Sequence, residues 1–572
     1  MKNSRRAFLG AIAPMAAAGA LQAQRGSTPP VPQVEPESKA EFAKAPPVMV
    51  YRHDQRVESL LERQIVDENN PHAGGYLDTW EIASPQSGSG LIAAFTTAFL
   101  CPASRFYRSN DLLRRIALAA RFLKRRQLAS GNIDLLTTNL NSPPDTGFVV
   151  HNVAPAMILA MRANEPDIGA MLLPFLHEAA KAMTVGGVHT PNHRWVVSAA
   201  LALMTYLERR PEYAKRVDQW LAEGIDIDED GLYTERSPLV YSPVVNRSLI
   251  FMAEFLGKTE LLDPVQRNLE AAIFLMHPNG ELETGLSGRQ DQNTVGSMGV
   301  NWLGLQYMAE HDGNGVFAYL ARKFEGEYGD LQLWMLLKQL RGHETAPKAP
   351  EAKYSKVFRN ASLQRLRRGE TSVSIFSKGY DRVFSIRNGD AVVEAVRLAS
   401  AFFGKGQFIP SASKSNGDTV EMSQSLSGPY YQPLDPPEKI PSDPAAWSAS
   451  RQKRAQSEVG QLTQRCVVLD QGDSFALDFS VEGTENVPVA VEISLRAGMT
   501  IENVRNAPAG TDSFLSTGAP ILIRSGKDTL RIEAPTSAHA YTQLRGAHAK
   551  LPGPSVYVTG FSPFHARLVF RT

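Results

Sequence analysis

The chain has 572 residues, with 60 Lys and Arg against 59 Asp and Glu and a formal net charge of +1. So even a balance argues against general nucleic-acid binding, which needs a surplus of basic side chains to neutralise phosphates. The length calls for more than one domain, and a local basic cleft for an acidic polymer remains compatible with the overall charge.

Residues 1–24 read as a twin-arginine signal peptide. Ser4-Arg5-Arg6-Ala7-Phe8-Leu9 carries the motif, and a short apolar run in small residues follows to Leu21. Ala18-Gly19-Ala20 and Leu21-Gln22-Ala23 are both candidate cleavage sites. Removing Lys2, Arg5 and Arg6 leaves 57 basic and 59 acidic residues. Export by this route predicts a periplasmic or secreted location. Residues 25–49, rich in Pro, Glu, Lys and Ala, read as a tether. No later stretch is long and apolar enough to cross a bilayer. Cys101 and Cys466 fall in different predicted domains and read as two free or buried thiols.

From 50 to 340 the apolar residues recur at spacings of three and four. Leu112, Ile116, Ala119 and Leu123 form one stripe. Leu172, Phe175, Leu176, Ala179 and Met183 form another, and Val196, Ala199, Leu203 and Tyr206 a third. Several helices end in a Gly turn followed by a polar step: Gly131-Asn132-Ile133-Asp134, Gly231-Leu232-Tyr233-Thr234-Glu235 and Gly280-Glu281-Leu282-Glu283. A ring or arc of helical hairpins with these turns on one rim, an incomplete (α/α) toroid, fits that layout. Rims of this kind hold clefts.

Residues 341–354 (R-G-H-E-T-A-P-K-A-P-E-A-K and one residue more) read as a linker, and 355–572 as a large antiparallel β-sandwich. Ser372–Ser377, Phe475–Ser480 and Val489–Ser494 alternate with period two. The interval 411–458 has few such runs and much Pro, Ser and Gly. It reads as a long loop carrying Tyr430 and Tyr431.

The chemistry concentrates in two segments. Thr190-Pro191-Asn192-His193-Arg194-Trp195 opens a helix, and Asp230-Gly231-Leu232-Tyr233-Thr234-Glu235-Arg236-Ser237-Pro238-Leu239-Val240-Tyr241 follows about forty residues later. An amide, an imidazole and a phenol are the parts needed to take a proton from the carbon beside a carboxylate. Amide donation and a positive His193 would stabilise the developing enolate-like charge. A tyrosine has a reference pKa near ~10, so Tyr241 needs a nearby cation to act as a phenolate; Arg236 and Arg289 are the candidates.

This ordered set resembles the heparinase II/III-like polysaccharide lyases, an (α/α) toroid followed by an antiparallel β-sandwich. The match runs from Pro191 to Gly257. The resemblance implies β-elimination on a uronic-acid polysaccharide, with Asn192 and His193 in the reaction centre and Tyr241 as acid and base. Gly288-Arg289 is similar to a Gly-Arg context in the hyaluronate and chondroitin lyases, which nominates Arg289 for the carboxylate or the phenolate.

There are departures. The heparinase-type families place a further His in the sandwich, and 385–406 contains none. That puts a metal site in doubt, and neither a metal nor another cofactor is expected. Tyr233 rivals Tyr241 as base. Arg236, Glu235, Tyr233, Trp195, His151 and Asn152 are the candidate substrate-binding residues, with toroid core the competing role for Trp195, Tyr76 and Trp80. Two other functions compete. One is a toroidal glycoside hydrolase using two of Asp134, Asp145, Glu235 and Asp291. The other is an inactive carbohydrate-binding homologue.

Overall fold

The structure, a computed structural model, describes residues 34–37, 39–508 and 510–572. The export signal and the first part of the tether lie outside the described residues. Five helical hairpins follow one another: Pro85–Leu100 with Asn110–Arg126, Pro143–Arg162 with Pro166–Val185, Pro191–Glu208 with Pro211–Leu221, Tyr241–Leu256 with Leu262–Leu275, and Trp302–Asp312 with Gly315–Tyr328. The first helix of each pair packs against the first helix of the next, forming an inner ring. Pro47–Arg63 touches both Pro85–Leu100 and Gly315–Tyr328, bridging the ends of the arc. The inner helices are apolar around most of their circumference, as elements buried on all sides must be; Pro191–Glu208 buries Trp195, Val196, Val197, Leu201 and Met204.

Three of the outer helices, Asn110–Arg126, Pro211–Leu221 and Leu262–Leu275, return to the next inner helix through one of the Gly turns. Gly131 and Gly231 have φ of 89° and 83°, the left-handed region that glycine tolerates. A Cβ at either would lie 2.3 Å from the Glu178 carbonyl oxygen or 2.5 Å from that of Arg267, so the turns press directly onto the neighbouring outer helix. Glu235 follows the second of these turns and Arg289 lies on the connection after Gly280, on the same rim.

Apart from a two-stranded ribbon in the helical part, Ile133–Leu135 with Asn139–Ser142, the strands run from Lys353 to Arg571. One sheet has nine strands, in the order Val504–Asn506, Ser513–Ser516, Ser555–Phe561, Pro488–Leu495, Ala391–Ser400, Phe384–Asn388, Thr371–Phe376, Leu363–Arg368, Lys353–Phe358. The other has eight: Thr500–Glu502, Ile521–Ser525, Asp528–Glu533, Phe564–Arg571, Ser474–Gly483, Gln456–Asp470, Thr419–Tyr431, Ala412–Asn416. Pairing is antiparallel except for Ser513–Ser516 beside Ser555–Phe561. The two inner faces share a core that includes Phe384, Val396, Phe479, Ile493, Leu568 and Phe570. A helical toroid followed by a β-sandwich is the expected architecture.

One expectation fails here. The supposed loop 411–458 contains Ala412–Asn416 and Thr419–Tyr431, the latter paired along most of its length with Gln456–Asp470. Tyr430 and Tyr431 stand exposed at the end of that strand. Cys101 and Cys466 are both buried and free. Among the described residues, no helix is long and apolar enough to cross a membrane.

A buried ion pair pins the centre of the nine-stranded sheet. Arg397 reaches one Glu492 carboxylate oxygen through Nε at 3.0 Å and through an Nη at 2.5 Å. Removing one partner of such a pair leaves an uncompensated charge. Arg397→Ala is expected to cost about 3–5 kcal/mol, read as a lower denaturant midpoint; an unchanged midpoint would contradict this account of the pair.

Candidate active site

The site assembles where three outer-to-inner connections meet. Pro191 occupies the first turn of Pro191–Glu208 and Thr190 is its N-cap, so Asn192 lies inside the helix rather than capping it. The Asn192 side chain is fully buried. Its amide donates to Glu235 Oε2 at 2.7 Å and to Thr190 Oγ1 at 3.2 Å. The Glu235 carboxyl thus lies beside a helix N-terminus, where the peptide dipoles favour negative charge. His193 stands edge-on to His189 and Phe148, at ring-centroid distances of 4.6 and 6.3 Å.

Tyr241 is the first residue of Tyr241–Leu256, and its backbone N–H donates to Ser237 Oγ at 3.0 Å. The turn bearing Arg289 is clamped onto this segment from two sides. Gly288 N–H donates to the Glu235 carbonyl at 3.1 Å, and Leu239 N–H to Asp291 Oδ2 at 3.1 Å. The other Asp291 oxygen accepts from Ser287 Oγ at 2.5 Å. The clamp sets Arg289 over Tyr241, its guanidinium carbon 4.6 Å from the ring centroid. An Arg289 Nη donates to the Tyr241 oxygen at 3.3 Å and Gln290 Nε2 does so at 2.7 Å. The other Nη of Arg289 lies 3.3 Å from Glu235 Oε1.

Asn192, Glu235, Arg289 and Tyr241 therefore form one connected chain of contacts, with His193 adjoining it. The Tyr241 oxygen accepts two hydrogen bonds and, among the described residues, donates none. Asn192 Oδ1, His193 Nδ1 and Arg289 Nε are buried without any partner among the described residues. Unpaired buried polar atoms are costly, and three in one place mark a surface shaped for a polar ligand or ordered water.

The electrostatics correct one expectation. Burial, reinforced by His189, lowers the His193 pKa to about 4, against the opposing pull of Asp145. His193 is neutral at physiological pH; the positive charge of the site belongs to Arg289. An unfolded chain would protonate this imidazole near 6.5. Between pH 6.5 and 4 the unfolded chain binds more protons, so stability falls as pH drops through that window. His193→Gln should lose less thermal stability between pH 7 and pH 4.5 than the wild type; equal losses would refute the assignment. Glu235 acts in the opposite sense. Burial raises its pKa, while the Asn192 hydrogen bond and Arg289 hold it down, so its contribution is lost as pH rises through the raised value.

The remaining candidates divide. Glu235, expected as a substrate-binding residue, joins Asn192 to Arg289. Tyr233 is buried with its hydroxyl donating to Asn246 Oδ1 at 2.9 Å, and burial pushes its pKa well above the ordinary value, which removes it as a rival base. Trp195 is buried with Nε1 on Asp226 Oδ1 at 2.8 Å, so no sugar can stack on it. Trp80, by contrast, is exposed. His151 is buried, with Nε2 on the Val196 carbonyl at 3.0 Å; Asn152 donates to Ser89 Oγ at 3.2 Å. Neither touches the cluster. Arg236 has a φ of 49° and donates to the Asn360 carbonyl at 2.5 Å, tying the rim to the sandwich rather than serving Tyr241. Gln290 escaped the sequence reading: an exposed Gln carries no signal until its partner is known. The sandwich supplies no His over 385–406; His277, from the toroid, reaches Ser372 Oγ at 2.6 Å and is buried, which pulls its pKa well below the ordinary value. Among the described residues, no group of three or more His, Cys, Asp or Glu could hold a metal ion.

A toroid with a rim cluster beneath a β-sandwich is the fold of polysaccharide lyases. The chain is similar in structure to a mutant heparan sulfate lyase HepC from Pedobacter heparinus, with a TM-score of 0.52 and 12% identity over 94% of this chain and 86% of that one. It is similar also to the chondroitin AC lyase of Streptomyces coelicolor A3 solved with chondroitin sulphate, with a TM-score of 0.54 and 13% identity over 92% and 80%. No protein-family model matches the chain, and no curated protein does. At such identities the likeness establishes the fold.

Proposed function

We propose that this protein is an exported polysaccharide lyase that cleaves a uronic-acid-containing chain by β-elimination. The observation that carries the reading is the Tyr241 oxygen, which accepts from Arg289 at 3.3 Å and Gln290 at 2.7 Å and donates to nothing among the described residues. Tyr241 takes the proton from the carbon bearing the carboxylate. The bond from the neighbouring carbon to the glycosidic oxygen then breaks, leaving a C4–C5 double bond. The same phenol returns the proton to the departing oxygen. No water enters, and no second carboxylate is needed.

Arg289 supplies charge to the substrate carboxylate and to the phenolate. Neutral His193 contributes a hydrogen bond, not a charge. The Asn192 amide reaches the carboxylate by exchanging its bond to Glu235. A protonated Glu235, which burial favours, could donate there as well. The hydrolase alternative is less well supported, because Asp291 and Asp145 are both committed to hydrogen bonds that hold the rim together. Incubation with glycosaminoglycans, alginate, pectin and other uronates, followed at the near-ultraviolet absorbance of the unsaturated product, tests the proposal. Absorbing ends support it; reducing ends without absorbance, or no cleavage of any uronate, would overturn it.

A further inference from the structure

A second polar site lies at the seam between toroid and sandwich. A cavity of about 290 Å³ opens between the turn 282–295, which also carries Arg289, and the nine-stranded sheet. That volume is near the lower end of small-molecule sites, which run from roughly 300 Å³ upward. Its lining includes Glu283, Asn293, Arg382, Arg387, Glu394 and Arg496, and none of Asn192, His193, Tyr241 or Arg289.

The charges around it do not cancel locally. Glu281 binds Arg387 and also Arg496, the latter at 2.9 Å; Glu394 binds Arg496 at 2.6 Å and lies 3.8 Å from Arg387. Glu283 is occupied by Ser374, by the Gly285 N–H at 2.8 Å and by Arg365 at 3.8 Å. Asp381 is taken by His548 at 2.9 Å and Arg397 at 3.4 Å. Arg382 is left over. It is only 6% exposed, lines the cavity, and makes no hydrogen bond or ion pair among the described residues. Burial pulls its pKa down, with Glu283 and Asp381 opposing from a distance and Arg397 adding to the repulsion. A buried guanidinium carries five donors and needs acceptors; leaving it unpaired is costly.

We propose that the seam cavity is a binding site for an oxyanion, a sulfate ester or carboxylate carried on a sugar, with Arg382 as the side chain that grips it. The planar guanidinium matches two oxygens of such a group. The cavity exceeds the needs of a bare ion, which favours a sugar-borne one. Naming a sugar as carrier rests on the lyase reading; the oxyanion site itself does not.

The test uses the full chain, with calorimetry and thermal shift against sodium sulfate, a sulfated uronic-acid disaccharide and its unsulfated counterpart, at matched ionic strength. Neither readout needs turnover, so an inactive protein would still report on this site. Saturable binding weakened roughly tenfold or more in Arg382→Gln, and partly restored in Arg382→Lys, supports the site. Tighter binding of the sulfated disaccharide than of sulfate or the unsulfated sugar assigns a sulfate ester; preference for both sugars over sulfate assigns the carboxylate; equal binding of sulfate and sugars assigns a free ion and overturns the sugar assignment. Without ligand, Arg382→Gln should melt no lower than wild type, since it removes an unpaired buried charge. Binding that is undiminished in Arg382→Gln belongs to the Arg289 cluster and overturns the proposal, as does the absence of saturable binding by all three ligands.

Discussion

Tyr241→Phe is expected to lower the rate of unsaturated-product formation by roughly 10²–10⁴-fold or more, the scale of a positioned general acid–base group. Binding should survive. The phenyl ring keeps its place under the Arg289 guanidinium, now 4.6 Å away, and loses only the oxygen that Arg289 and Gln290 address. The comparison is made on whichever uronate the wild type cleaves, with affinity measured alongside rate. A wild-type rate from this variant would take Tyr241 out of the reaction. A loss of affinity with rate intact would make it a binding residue.

Arg289→Ala should be of comparable severity, a drop in kcat of roughly 10²–10³-fold, as for removal of a donor aimed at developing charge. The cause is geometric. Among the described residues, Arg289 is the one side chain that touches both Tyr241 and Glu235, so its loss strips the phenol of a charge partner and leaves a buried carboxyl without its cation. Arg289→Lys keeps the charge but not the fork that spans the two, and should fall between wild type and Ala. If Arg289 and Tyr241 act on one proton transfer, as proposed, the double variant should be little worse than the worse single one. Additive losses would mean that the two act separately.

The architecture was legible because its signals are collective. Stripes such as Leu172, Phe175, Leu176, Ala179 and Met183 repeat at helical spacing, and Ser372–Ser377 alternates. The strand Thr419–Tyr431 was not legible. Only Val420 and Met422 are buried apolar side chains in it, so little apolar alternation shows, and its register comes from Gln456–Asp470 rather than from its own sequence. In the site, Asn192, Tyr241 and Arg289 were readable from ordered motifs. The central place of Glu235 was not, since it depends on a hydrogen bond to a residue 43 positions away. Nor was the burial of Tyr233, which lies on the same Gly turn and looks as available as Tyr241 until the packing against Asn246 is seen. Periodicity reports which face is apolar; it does not report which polar atom ends without a partner.

Those orphaned atoms, Asn192 Oδ1, His193 Nδ1 and Arg289 Nε, bear on which polymers the protein will refuse. A hydroxyl of a neutral hexan could donate to Asn192 Oδ1, but such a chain would bring no negative charge to the Arg289 guanidinium. On the lyase reading, preference for charged over uncharged chains would rest on the Arg289 guanidinium, already in place without a ligand.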